Sequence, residues 1–385
     1  MIVPNPDYRS NPQRAVFVQG EINRQLVQRL APDIIRLQGE SRDPITVYID
    51  SEGGKVFYAE ALVRLLEASD QESARSCRII TVVTGFAASA AADLLCSGGY
   101  AMANAGCTIF FHGVRRSGDE ITVAVASSMA DSLRRTNERY AIALADKSIR
   151  RLGFRYAWMH SDLDAYRTRV GKHDLTDVES FIGLLSERLS RCGLAIVKRA
   201  KERNERYEAL VAHVARTARR SRTFQNPKRT ADSEAVVIKS IIDFEKSKNK
   251  KDDWTYANGG LRQTTNDFLL VREYLNIYDG DHLKRLCDNW GVYFLSNADR
   301  EELDGIEDEG LWTERLHEKV KPLLRPLWLF FVALCYALQE EENELTATDA
   351  FWLGLIDEVI GGPSDLFPFR LLIENVPDPV APEGT

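Results

Sequence analysis

A serine, a histidine and a glycine pair each sit where a strand-like segment ends, and together they have the makings of acyl-transfer chemistry. Ser89 lies in 84–92, TGFAASAAA, and His112 closes the apolar run 108–112, TIFFH. Upstream, 45–54 reads ITVYIDSEGG, a β-rich run that breaks on Gly53 and Gly54. A hydroxyl becomes a nucleophile when a neighbouring imidazole takes its proton and backbone N–H groups hold the oxyanion that forms. The leading reading is therefore a hydrolase. Ser89 would open a helix directly after a buried strand, facing a crevice at the carboxyl end of a sheet and feeling the positive end of the helix dipole. The N–H groups of Gly53 and Ala90 are the natural oxyanion donors, and glycine at 53 lets the backbone approach a bound carbonyl closely. His112 would take the serine proton and return it to the leaving amine. An extended peptide pairing as an added strand along 51–56 would lie against Gly54 and Lys55.

Each member has a plainer reading alone. A serine among alanines eases helix packing, a histidine after TIFF can be a satisfied strand end, and two glycines can be a turn. Order and spacing together carry the assignment.

The elements that must position these residues alternate. Ala15–Gln19 reads as a strand, and Ile22–Leu37 as a helix with apolar residues at 22, 26, 30, 34 and 35. Ile45–Ile49 is a strand, Val56–Ala68 a helix, Ile79–Val83 a strand, Ser89–Cys96 a small-residue helix and Thr108–Phe111 a strand. This order predicts an α/β class: a parallel, covered sheet built from βαβ units. Residues 120–345 are mostly helical and more polar, with long helical patterns at 121–151 and 178–221. Thr348–Trp352 then reads as a short helix and Leu355–Ile360 as a last strand, before a proline-rich tail from 362. The predicted organisation is a core over 1–150, a helical insertion over 151–340, a closing segment over 341–361 and the tail over 362–385.

Composition narrows the function classes. The chain has 385 residues, 44% hydrophobic and 28% charged, with a net charge of −7 from 50 basic and 57 acidic side chains. Nothing in that balance argues globally for nucleic acid or an acidic membrane. The stretch 188–230 does hold 13 Lys or Arg against three Glu, with Tyr207 and Phe224 as candidate stacking groups. The solvated face of a long helix is the preferred reading, and a nucleic-acid partner is disfavoured. The N-terminus has no secretory pattern, and the 12 apolar residues 327–338 fall short of the ~20 that a spanning helix needs. Six cysteines without CxxC spacing read as buried, reduced thiols. These observations predict a cytoplasmic protein without a membrane span. No metal or organic cofactor is implied, and the chain has no P-loop for ATP.

The order DSEGG, GFAASAAADLL, FFHG and LTATDAFWLGLIDEV resembles the proteolytic subunit of the Clp protease (ClpP) and the wider ClpP/crotonase superfamily. In that family a strand ends in N-S-P-G-G, the serine sits in G-x-A-A-S-M, the base closes a strand ending M-I-H, and a G-L-I-D segment follows later. Gly53–Gly54, Ser89, His112 and 347–357 occupy those places in order. The resemblance covers about 15–145 and 340–361, and it implies a serine endopeptidase acting through an acyl-enzyme on Ser89. It also implies a peptide or protein substrate, a homo-oligomer, and an ATP-dependent unfoldase as a partner on another chain.

By the same resemblance the triad acid falls on Glu342, three residues before Leu345 and within the run 340–344. A solvated helix end is the plain reading of that run. A second segment, 173–185, also resembles the closing segment and offers Asp174 or Asp177. Glu52 stands where the family has proline, and Ala90 and Ala91 stand where it has Met-Gly. The helical block 151–340 departs furthest, because in the family that stretch is the handle through which subunits pair across a double ring. Two alternatives accompany the peptidase: a crotonase-like acyl-CoA enzyme using the same oxyanion donors, and a catalytically inactive pseudo-peptidase serving as an interaction module.

Overall fold

A computed structural model describes residues 8–68, 76–115, 123–160, 178–219, scattered positions between 236 and 244, 282–295, 297–363 and 366. Asp174, Asp177 and Phe224, and the tail beyond 366, lie outside these residues. The chain forms two compact units. One comprises Met1–His112, Lys147–Ile196 and Glu340–Thr385, and the other Gly113–Asp146 and Val197–Gln339.

The first unit is built on seven strands: β1 (Ala15–Gln19), β2 (Ile45–Ser51), β3 (Ile79–Ala88), β4 (Tyr100–Asn104), β5 (Thr108–Phe111), β6 (Asn343–Thr346) and β7 (Glu358–Ile360). The main path is β1-β2-β3-β4-β7, with every neighbour parallel. Between the strands run α1 (Arg24–Glu40), α2 (Val56–Leu66) and α3 (Ala90–Ser97). Ile79 to Val83 are all buried, a run apolar except for Thr81, as in a parallel strand covered on both faces. The α/β class read from the sequence is the one observed.

β3 is longer than its apolar run because it serves two neighbours. Ile80–Val83 pair with β4, and Phe86–Ala88 pair in parallel with β5. β5 in turn pairs antiparallel with β6. Other boundaries move for local reasons. Ile22 leaves the predicted helix to bridge Gly54, and Asn23 caps α1 by accepting the Leu26 N–H at 3.0 Å. The last strand is shorter than the apolar run suggests, because the N–H groups of Leu355 and Ile356 bond back to Ala350 and finish the preceding helix.

Two carboxylates fasten the closing segment. Arg151, 1% exposed near the C-terminal part of α4 (Val123–His160), donates through Nε to Asp357 Oδ2 at 3.0 Å. Its other nitrogens reach the carbonyls of Leu355, Cys96 and Gly98. Asp357 Oδ2 also accepts the Ala101 N–H at 2.7 Å. A cation on the last carbonyls of α3 suits that helix's negative end. Burial pushes the neighbouring Cys96 thiol up to about 12, with Arg151 opposing the rise. Asp349 accepts from the Ser190 N–H and hydroxyl, both at 2.7 Å, and from the Thr346 backbone and hydroxyl. The Ser190 contacts fall at the break that divides the predicted helix 178–221 into α5 (Val178–Arg188) and α6 (Arg191–Arg219).

The second unit is helical in its described part. It takes the start of α4, most of α6, α7 (His282–Trp290), α8 (Asn297–Asp304) and α9 (Glu309–Leu338). α9 contains Pro322 and Pro326 and bends by 56° between Glu309–Pro322 and Leu324–Leu338. Its apolar end is buried, Trp328, Phe330 and Phe331 fully so. Among the described residues no single helix is long and apolar enough to cross a membrane. Arg203 lies 4.1 Å from the centroid of the Tyr336 ring and donates to Tyr207. Tyr207 is buried, so the ring singled out for base stacking is used in packing. Lys319 bridges Asp299 and Glu302, and those hydrogen bonds raise its pKa.

Candidate active site

Ser89 sits at the hinge between β3 and α3, as the N-cap of the helix, with φ 55° and ψ −125°. Among the described residues no other non-glycine has a positive φ. Such a conformation costs about 1–3 kcal/mol and persists only where the surroundings enforce it. Here the enforcement is visible. The Ser89 N–H donates to the Phe110 carbonyl of β5 at 2.8 Å, and its own carbonyl accepts the first helical bonds of α3 from Ala92 and Asp93. The side chain caps nothing in the helix, although serine caps commonly do. A sharp strand-to-helix turn that lifts a serine hydroxyl away from its own helix is the geometry of a nucleophile elbow.

Beside this turn the backbone just after β2 comes very close. A Cβ on Gly53 would overlap the Ala88 carbonyl and stand 2.8 Å from the Ser89 Cβ, and its φ is +89°. Only glycine fits both demands. Ala90, the first residue of α3, carries one of the N–H groups that a helix start leaves without an intrahelical partner. Among the described residues nothing accepts it. Gly53 differs, because its N–H donates to the Ser51 hydroxyl at 3.0 Å. That hydroxyl donates to the Gly20 carbonyl at 2.6 Å.

Gly54 and Lys55 are also engaged on one edge. The Ile22 N–H donates to the Gly53 carbonyl at 2.6 Å, and the Lys55 N–H donates to the Ile22 carbonyl at 3.0 Å. A Cβ on Gly54 would run into the Ile22 backbone. The edge of 53–55 nearest Ile22 is thus already paired inside the chain, so a substrate strand has to use the other. The Lys55 side chain is exposed.

His112 follows directly on β5, half-buried, with its ring edge-on to Phe110 at 5.9 Å between centroids. The carbonyl holding the Ser89 N–H lies two residues before it, so pairing of β5 with β3 brings serine and histidine to the same end of the sheet. Glu342 is exposed and directly precedes β6. The antiparallel register runs Thr108↔Thr346, Ile109↔Leu345, Phe110↔Glu344 and Phe111↔Asn343. The pairing ends there, one residue short of His112 and Glu342, which follow β5 and precede β6 at the same end of the ladder.

Sequence reasoning missed Ser51 and Arg151. Ser51 had a signal: a serine two residues before glycine can accept that residue's N–H in a side-chain turn. Arg151 had none, since its partners are far apart in the chain. Among the described residues no group of three or more His, Cys, Asp or Glu is placed to hold a metal ion.

The comparisons with known proteins fall on this same region. Residues 8–149 match the Clp protease family model. The ATP-dependent Clp protease proteolytic subunit 3 of Rhodococcus jostii (strain RHA1) is 23% identical over 180 residues, 46% of this chain and 84% of the Rhodococcus protein. The family match takes in the glycine turn, the strained serine and the strand-end histidine, so over residues 8–149 the chain is similar to the Clp protease family in sequence just where the local geometry is most constrained.

Proposed function

We propose that the protein is a serine endopeptidase. Ser89 is its nucleophile, His112 its general base, and Glu342 the group that orients the imidazole. The observation that carries this reading is the backbone of Ser89, a positive φ at a non-glycine residue, at the strand-to-helix turn, with its hydroxyl unused as a cap. In acylation the Ser89 Oγ bonds to the peptide carbonyl carbon while its proton passes to His112. The carbonyl oxygen gains the charge, and the N–H group of Ala90 at the start of α3 stabilises it, whereas the Gly53 N–H expected as the second donor is already bonded to Ser51. Collapse breaks the C–N bond, with His112 protonating the leaving amine, and water then repeats the sequence on the acyl-enzyme. The same reading extends to self-assembly and, by likeness to the Rhodococcus subunit, to an ATP-dependent protein partner, with the work done in the cytoplasm.

The test is a fluorophosphonate probe on the purified full chain, with the adduct located by mass spectrometry. Labelling at Ser89 that is abolished by Ser89→Ala and reduced at least about 10³-fold by His112→Ala supports the peptidase. Absence of labelling in every assembly state, with acyl-CoA binding, favours the crotonase-like enzyme. Absence of both favours an inactive interaction module.

A further inference from the structure

β3 does not run past β2 in a single register. Ile49 faces Val83 and Ser51 faces Ala87, so Asp50 stands alone against Thr84, Gly85 and Phe86. A bulge of this kind leaves backbone groups without their ladder partners. Side chains take over here. The Phe86 N–H donates to Asp50 Oδ1 at 3.1 Å, the Thr84 hydroxyl donates to the Ile49 carbonyl at 3.3 Å, and Asn104 donates through Nδ2 to the Thr84 carbonyl at 3.2 Å. Asp50 is itself held by its backbone, whose carbonyl accepts the Gly20 N–H at 3.1 Å. The bulge also falls where β3 changes neighbours: Val83 is the last residue to pair with β4, and Phe86 is the first to pair with β5. Beyond Phe86 the strand runs straight into Ser89, and β5 runs straight into His112.

We infer that Asp50 is a positioning residue for the proposed reaction: its carboxylate, bonded to the Phe86 N–H, fixes where β3 re-enters the ladder after the bulge, and so places the Ser89 turn and the β5 strand that carries His112. This rests on the peptidase reading. Bulges beside active sites re-aim the side chains that follow them. Phe86 is three residues before Ser89, and a reacting group misplaced by an ångström loses much of its rate. Asp50 touches no substrate in this role. What the role asks of position 50 is one acceptor oxygen at that distance, not a charge. Gly85 belongs to the same device. The nearest neighbours of a Cβ there would be the three carboxylate atoms of Asp50, with Oδ1 at 2.8 Å, and the backbone of Gly85 has no positive φ that would otherwise call for glycine.

The experiment measures fluorophosphonate labelling of Ser89 in the full chain, separating kinact from KI. The proteins are wild type, Asp50→Ala, Asp50→Asn, Gly85→Ala and the double variant Asp50→Ala with Gly85→Ala. Asp50→Ala should lower kinact by about fivefold, the rate equivalent of one exposed hydrogen bond, with KI unchanged. Asp50→Asn keeps an acceptor oxygen in place and should stay within about twofold of wild type. Gly85→Ala pushes the carboxylate aside and should slow labelling about as much as Asp50→Ala. In the double variant the second substitution should cost nothing further, because the bond it breaks is already gone. A merely structural role predicts a lower Tm and a smaller labelled fraction at unchanged kinact, and that result overturns the inference. Wild-type kinact in Asp50→Ala, equal losses in Asp50→Ala and Asp50→Asn, or additive losses in the double variant overturn it too, each leaving Ser89 as the nucleophile. If Asp50→Ala does not fold, slow Gly85→Ala beside near-normal Asp50→Asn upholds the inference, and any other pairing of those two overturns it. If no protein labels at Ser89, wild type included, the peptidase reading itself fails, and the inference with it.

Discussion

The two halves of the candidate site are held in different ways. The nucleophile half, the end of β2, the end of β3 and the start of α3, is fixed by backbone: a strained serine, a glycine with no room for a Cβ, and a buried arginine on the far carbonyls of α3. The base half is a four-residue strand, β5, beside another four-residue strand, β6, with His112 half-exposed and Glu342 exposed at their ends. One half is over-determined by backbone, and the other sits at the ends of two short paired strands. A donor and nucleophile misplaced by an ångström lose their transition-state bonds, so their rigidity must be built in. An imidazole beside solvent can settle when substrate covers it.

The largest effect should come from breaking the lock on the nucleophile half at its remote end. Arg151→Met leaves Asp357, 5% exposed, without its cation, and removes donors from four oxygens. Stability should fall by about 3–5 kcal/mol in urea unfolding, the usual cost of removing one member of a buried pair. The double variant Arg151→Met with Asp357→Asn should recover part of that loss. An unchanged urea midpoint in Arg151→Met would mean that this half is not locked there.

Next in size is Gly53→Ala. The added Cβ meets the Ala88 carbonyl and the Ser89 Cβ, so the turn has to move and push on Ser89. Labelling of Ser89 should drop by about 10²-fold, the usual cost of misplacing a reacting group by an ångström. The Tm should fall as well, because alanine is strained at a φ of +89°. Wild-type labelling in this variant would remove Gly53 from the site.

The same contrast explains what could be read from the sequence. Strand-ending glycines, a serine after an apolar run and a histidine after TIFF are local patterns, and the nucleophile half is made of local patterns. The α/β class followed from strands that alternate with amphipathic helices. β4, YAMAN, escaped notice because a short strand buried on both faces shows no alternation of polar and apolar residues. β6 escaped because its sequence, NELT, follows a run of glutamates that reads as solvated, and only its pairing with β5 makes it a strand. Arg151 and Asp357 are 206 positions apart, and nothing near either one announces the other. The contacts that were invisible are those whose two ends meet only after folding.

Glu342 is where the comparison can be sharpened most, though its substitution should have the smallest effect. In a buried triad, replacing the acid by its amide costs about 10⁴ in rate, because the imidazole takes the wrong tautomer in a site that water cannot repair. Glu342 is exposed, on a strand end, so water can stand in for it, and an exposed charged pair contributes about 0.2–1 kcal/mol. Glu342→Gln should therefore slow Ser89 labelling by only about twofold to fivefold, with the loss shrinking further at high salt. His112→Ala should remain far more damaging. A loss above about 10³ in Glu342→Gln would mean that β6 and His112 are buried together when the site works, as in a fully enclosed triad. The base half would then be built to close, and its exposure here would belong to the resting chain alone.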